Sequence, residues 1–198
     1  MTLEFLRPHM SRIMGPFITV SRKAGVSPNT LTVLALFTSA CAGTFYWFGH
    51  VLFGTLFVAL NALFDGLDGA LARAEKKESI RGDFLDHVTD RYADILIITG
   101  IFAGGAAGWE VGVLALTGVL MSSYLGTQSQ AVGMGRFYGG VLGRADRLVL
   151  IICAGLLTLV FPGKVFSLSI LGWLLLGFGV MGHVTALQRF LYVWRKMP

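Results

Sequence analysis

Six stretches of mostly apolar residues, each close to the length needed to cross a bilayer, dominate this chain: roughly 29–49, 51–72, 84–104, 109–132, 146–161 and 166–191. A spanning helix needs about 20 such residues. In hydrocarbon only helices and closed barrels satisfy their own backbone polar groups. The runs are continuous rather than alternating with period two, so helices are expected and a barrel is not. Of the 198 residues, 55% are hydrophobic and 14% charged, which excludes an ordinary soluble domain. The fifth run is short and draws in the Arg144–Arg147 stretch. Connections are brief, so residues 1–198 read as one all-α integral membrane domain, with an interfacial segment over 1–24 and a six-helix core over 28–194.

The interfacial segment carries Leu3, Leu6, Met10, Ile13 and Phe17 at helical spacing. This predicts an amphipathic juxtamembrane helix on the membrane surface, interrupted at Pro8 and at Gly15–Pro16. With the N-terminus on the cytoplasmic side, every one of the 16 Lys and Arg residues except Lys164 falls on inner segments or the adjoining helix ends. By the positive-inside rule this is a multi-pass protein of the cytoplasmic membrane. The net charge of +5 is thus one-sided. It suits an anionic leaflet or an anionic substrate and is no evidence for nucleic acid. Cys41 and Cys153 lie inside apolar runs and are expected to be free, buried thiols.

Four acids stand where lipid disfavours them. They belong to eight residues spread over 26 positions: Asp65, Asp68, Gly69, Ala72, Arg73, Gly82, Asp86 and Asp90. An acid at a helix centre costs at least ~2.5–3.5 kcal/mol on insertion scales. Asp65 and Asp68 share one helix face, and Asp86 and Asp90 share another. Each pair lies about two turns from the short inner loop joining its helices, so the two pairs meet at similar depth just inside the cytoplasmic face. Convergent carboxylates point to a hard cation, Mg²⁺, Mn²⁺ or Ca²⁺, rather than zinc or copper. Four of them suffice for one ion, or for two bridged ions about 3.5–4 Å apart.

Gly69 and Gly82 remove side chains where something bulky must approach, and Ala72 keeps the same face narrow. Arg73 stands two turns after Asp65, where it can reach a phosphate or pair with Asp65 or Asp68. Ser27 or Asn29 can cap the first span, with Pro28 in its first turn. Thr30 and Thr32 add donors at the depth of the acids. Two rival readings are a cation pathway and a catalytically silent scaffold. Against a pathway, the acids gather at one membrane face.

The spacing of all eight residues resembles the motif of the CDP-alcohol phosphotransferases, integral membrane enzymes with six transmembrane helices. Pro28-Asn29-Thr30-Leu31-Thr32 is similar to an element of the family's first helix. The resemblance implies that an acceptor hydroxyl attacks the β-phosphorus of a CDP-linked lipid and CMP leaves. It implies Asp65, Asp68 and Asp86 as metal ligands, and Asp90 as general base and further ligand. It implies two Mg²⁺ ions, with Mn²⁺ as a substitute, and a homodimer. The positions matching the CDP-binding set are Pro28, Asn29, Thr30, Leu31, Gly69, Arg73 and Ser79.

Arg136, Arg144, Arg147 and Arg189 serve either as positive-inside anchors or as a basic pocket for a phosphate on the acceptor. The segments Gly143-Arg144-Ala145-Asp146-Arg147 and Gln188-Arg189 resemble the family's inositol-phosphate branch. That branch implies inositol 1-phosphate as acceptor, ahead of glycerol phosphate and serine. The chain departs from it at Gly126 and Gln128, where basic residues are usual. Asp94 extends the Asp86–Asp90 face by a turn, to bind acceptor hydroxyls or to pair with an arginine. His87 is expected to point off that face.

Overall fold

The computed structural model describes residues 7–135, 139–140 and 143–197, with side chains from residue 14 onward. Within them the chain forms seven helices: α1 (Arg7–Lys23), α2 (Pro28–Trp47), α3 (Val51–Glu75), α4 (Ile80–Ala103), α5 (Trp109–Ala131), α6 (Arg144–Val160) and α7 (Ile170–Lys196). Side-chain caps start several of them. Ser27 Oγ accepts from the Thr30 amide at 3.2 Å ahead of Pro28, Ser79 Oγ from Gly82 at 3.1 Å, and Ser169 Oγ from Gly172 at 3.2 Å. Each satisfies a donor that the first helical turn leaves unpaired.

Four helices, α2, α3, α5 and α7, are long and apolar enough to cross a membrane. Helix α4 opens with Arg81, Asp83, Asp86, Asp90, Arg91 and Asp94, and α6 has 17 residues. The last apolar run begins at Ile170 rather than 166. A tight turn with Phe166 and Ser167 at positive φ, closed by a Val165–Leu168 bridge, occupies the residues before it.

The interior is a seam of small and branched residues. Ala42, Val58, Ile97, Leu148, Leu175 and Phe178 are buried in one cluster. Phe37, Leu56, Val113, Leu156 and Val180 are exposed on the outside. A soluble monomer rarely shows so wide an apolar surface, whereas lipid accepts it. Cys153 is exposed on this surface and Cys41 half-buried, against the expectation of buried thiols, although both are free. Against lipid, an apolar thiol gains little from turning inward.

Close backbone approach holds the bundle together, as small residues do between membrane helices. A Cβ at Gly100 would collide with the Gly43 backbone across α2 and α4, and one at Gly182 with Gly118 across α5 and α7. Gly100→Ala is therefore expected to destabilise the fold by about 1–3 kcal/mol through overpacking. Gly177→Ala, with open space around the new methyl, is expected to leave the unfolding midpoint in detergent unchanged.

Helix α1 runs unbroken through Gly15–Pro16, so the expected interruption does not occur there. Pro16 removes one helical hydrogen bond, a loss that solvent can offset on its exposed side. Met14 and Ile18 pack on Leu31, Leu67 and Leu71, whereas Phe17 is exposed. Leu3 and Leu6, and the side chains of Met10 and Ile13, lie outside the described part of the structure. The far end of α1 is tied to α3 by Arg22, 3.6 Å from Glu75.

Candidate active site

The ends of α3, α4, α6 and α7 bring the charged residues together. Asp65 and Asp68 lie in the last three turns of α3, and Asp86 and Asp90 in the first three of α4. Each of Asp65, Asp68 and Asp86 offers a carboxylate oxygen within 4.8 Å of the others. A second group, with the same spacing, joins Asp86, His87 and Asp90. Asp86 is common to both. An all-oxygen set of three close carboxylates fits a hard divalent cation and not a soft one.

Around these acids the chain supplies donors and counter-charges. Thr32 Oγ1 donates to Asp68 Oδ2 at 2.6 Å in a buried contact. Thr30 instead turns to the helix cap, 2.8 Å from Ser27 Oγ. One nitrogen of Arg144, Nη1, bridges two helices, pairing with Asp65 Oδ1 and lying 2.8 Å from Asp90 Oδ1. Arg147 Nη2 lies 2.7 Å from Asp94 Oδ2, and both side chains are about 95% buried. Of the two roles open to Asp94, pairing with an arginine is the one seen. Arg189 donates to the carbonyls of Gly139, at 2.8 Å, and Ser122, at 2.5 Å. It thereby ties α7 to α5 and to the connection before α6.

Two cavities flank the acids. A smaller one, about 210 Å³, is lined by Pro28, Asn29, Thr32, Asp68, Gly69, Arg73, Ser79, Gly82 and Asp86, among others. Thr30 and Leu31 do not line it, and Leu31 is buried in the apolar cluster under α1. The glycines keep the cavity open: a Cβ at Gly69 would stand 3.2 Å from the Arg73 guanidinium, and one at Gly82 3.2 Å from Ser79 Oγ. The larger cavity, about 580 Å³, is lined by His87, Asp90, Arg91, Tyr124, Gly126, Thr127, Gln130, Arg144, Arg147 and Arg189, among others.

Arg136 lies outside the described residues. Two residues enter that the motif spacing did not single out. Arg91 lines the larger cavity with Nη2 3.5 Å from Asp90, and its Nε is buried without a hydrogen-bond partner. His87 was expected to face away, yet its ring lines the same cavity and lies 3.9 Å from Asp86 and 3.4 Å from Asp83. Adjacency to the motif acids was the only signal for either.

Known proteins resemble this chain in sequence and, where a structure is solved, in fold. The sequence model of the family described as CDP-alcohol phosphatidyltransferase matches residues 25–185. The archaetidylinositol phosphate synthase of Pyrococcus horikoshii is 33% identical over 172 residues, covering 87% of this chain and 91% of the relative. The phosphatidylinositol phosphate synthase of Mycobacteroides abscessus is 30% identical over 190 residues, 92% of this chain and 84% of that one. Among solved structures, the phosphatidylinositol phosphate synthase of Mycobacterium tuberculosis with CDP-DAG bound superposes with a TM-score of 0.78 at 26% identity, over 92% of this chain and 94% of that chain. The same synthase in complex with manganese and citrate matches with a TM-score of 0.78 at 25% identity, over 90% of this chain and 88% of that one. A family match over most of the chain, together with relatives aligned nearly end to end, makes this protein a member of the CDP-alcohol phosphatidyltransferase family.

Proposed function

We propose that this protein transfers a lipid-phosphate group from a CDP-linked lipid to the hydroxyl of a polar acceptor, inositol 1-phosphate in preference to others, and releases CMP. The observation that carries this reading is that neighbouring acids open onto two cavities, Asp68 and Asp86 onto a small glycine-lined one and Asp90 onto a larger one rich in arginine. A displacement needs that arrangement, with donor and acceptor approaching one centre from two sides.

In this reading the smaller cavity takes the CDP end of the donor. Pro28, Asn29, Gly69, Arg73 and Ser79 contact it, and Gly69 and Gly82 leave room for the pyrophosphate. Asp65, Asp68 and Asp86, with Asp90 at the edge, would hold Mg²⁺ or Mn²⁺. Such ions, when bound, neutralise the pyrophosphate and the charge that grows on departing CMP. Asp90 lines the acceptor side and accepts the hydroxyl proton. The acceptor oxygen bonds to the β-phosphorus, the bond from that phosphorus to the CMP oxygen breaks, and the proton leaves with Asp90. Arg91, Arg144, Arg147 and Arg189 give the acceptor cavity the charge that a phosphate-bearing alcohol requires. Arg91 supplies basicity that Gly126 and Gln128 lack. The names of the relatives, archaetidylinositol and phosphatidylinositol phosphate synthases, support the same acceptor.

The same proposal takes α4 and α6 as spans, completing six. At 1.5 Å per residue α6 is about 26 Å long, close to the ~30 Å hydrocarbon core. The charges of α4 end at Asp94, leaving residues 95–103 apolar or small. The acids and arginines then face the cytoplasm.

The test is CMP release from a CDP-linked lipid with Mg²⁺, across inositol 1-phosphate, glycerol 3-phosphate, serine and inositol. The expected result is turnover highest with inositol 1-phosphate and lost when its phosphate is absent. Release with none of the four would overturn the transferase reading. A preference for glycerol 3-phosphate would overturn only the acceptor.

A further inference from the structure

Arg144 occupies an unusual position. It is the first residue of α6, where the helix dipole favours anions and disfavours cations. Its Nη1 is held between Asp65 of α3 and Asp90 of α4. These two acids belong to different carboxylate groups, one with Asp68 and Asp86, the other with Asp86 and His87. The guanidinium thus links the two groups a second time, at the acids that Asp86 does not join. It also lines the arginine-rich cavity, so it sits on the boundary between the proposed cation site and the proposed acceptor site. Its side chain is 14% exposed, and its Nε is buried without a partner. Its charge is thus satisfied by acids that the cation itself would require.

Resting on the metal-dependent reading above, we propose that Arg144 is a displaceable internal counter-cation. It neutralises Asp65 and Asp90 while the site holds no divalent ion, competes with the ion for those carboxylates, and is released into the acceptor cavity when the ion binds. Uncompensated buried acids are strongly destabilising, so an unloaded four-acid site needs some cation. A chain that carries its own stays folded without metal. Arg144 Nη1 holds one oxygen each of Asp65 and Asp90, so an ion that takes those oxygens displaces it. The freed fork then faces the cavity that it already lines, where it adds a bidentate donor for phosphate. Acceptor recognition would be complete only after the cation is in place.

The experiment is Mn²⁺ titration of the full chain in detergent without substrate, following free Mn²⁺ by electron paramagnetic resonance. Arg144→Gln is expected to bind Mn²⁺ about tenfold more tightly than wild type, and its unfolding midpoint to rise more on Mn²⁺ addition. Arg91→Gln removes the same charge beside Asp90 without the bridge to Asp65, and is expected to tighten binding by less than about threefold. If Arg144→Gln proves unstable without metal, Arg144→Lys, which loses the fork, is expected to bind Mn²⁺ more tightly than wild type. Equal or weaker binding by the Arg144 variants would overturn the proposal. An equal gain in Arg91→Gln would also overturn it, because general charge removal would then suffice. Wild type that binds no Mn²⁺ would remove the cation reading itself, a result distinguishable from either of the others.

Discussion

Asp90→Asn is expected to slow CMP release by about 10²–10⁴-fold, the range that a positioned general base contributes. The substitution keeps side-chain size and an acceptor oxygen for the Arg144 contact at 2.8 Å, so the fold should survive. What is lost is the ability to take a proton from the acceptor hydroxyl. Asp68→Asn makes the informative comparison, because Asp68 is grouped with Asp65 and Asp86 and is not a lining residue of the larger cavity. Its loss is expected to weaken Mn²⁺ binding and to be partly rescued by more metal. Asp90→Asn is expected to resist rescue at any Mn²⁺ concentration while KM for the CDP-lipid stays near wild type. The measurement is steady-state CMP release against metal and against each substrate. Full recovery of Asp90→Asn by excess metal would make Asp90 a ligand alone and leave the base unidentified.

Much of this site could be read along the chain because its parts are local. Asp65 with Asp68, and Asp86 with Asp90, follow helical spacing, and a four-residue connection between α3 and α4 forces the two pairs into one place. The glycine-lined cavity follows from the same hairpin, with Pro28 and Asn29 brought beside it by the start of α2. The counter-charges were not legible. Arg144 is 79 residues from Asp65, and Arg147 is 53 from Asp94. Composition identified these arginines as basic and inner, but their partners are chosen by the packing of α6 against α3, which brings the first turn of α6 within reach of the α4 acids. Arg91 shows a different limit. Helical spacing turns it about 100° from Asp90, yet a long flexible side chain reaches back to its neighbour's carboxylate. His87 reaches the larger cavity for a similar reason. Thr30 was misplaced because capping competes for its hydroxyl, and Ser27 wins.

The Asp94–Arg147 pair separates stability from recognition. Its contact of 2.7 Å joins α4 to α6 with both side chains buried, so truncating either partner leaves a charge without its counter-ion. Each single change, Asp94→Asn or Arg147→Gln, is expected to cost about 3–5 kcal/mol. The two should differ in degree. Arg91 and Arg144 both lie within Coulombic reach of Asp94, so they partly neutralise it when Arg147 is lost. When Asp94 is lost, the same two arginines repel Arg147, which makes Asp94→Asn the worse of the pair. The double variant removes both charges and is expected to be more stable than either single variant, so the two losses should be far from additive. Activity should not return with it. Arg147 also lines the arginine-rich cavity, so KM for inositol 1-phosphate should stay raised about 10- to 100-fold, the equivalent of a lost charge-assisted hydrogen bond of about 1.5–3 kcal/mol. Thermal unfolding in detergent and acceptor-dependent CMP release, measured on the same four proteins, test both halves. A double variant whose loss of stability equals the sum of its parents' losses would mean that the two residues act separately. A double variant with wild-type KM would confine Arg147 to holding α6 in place.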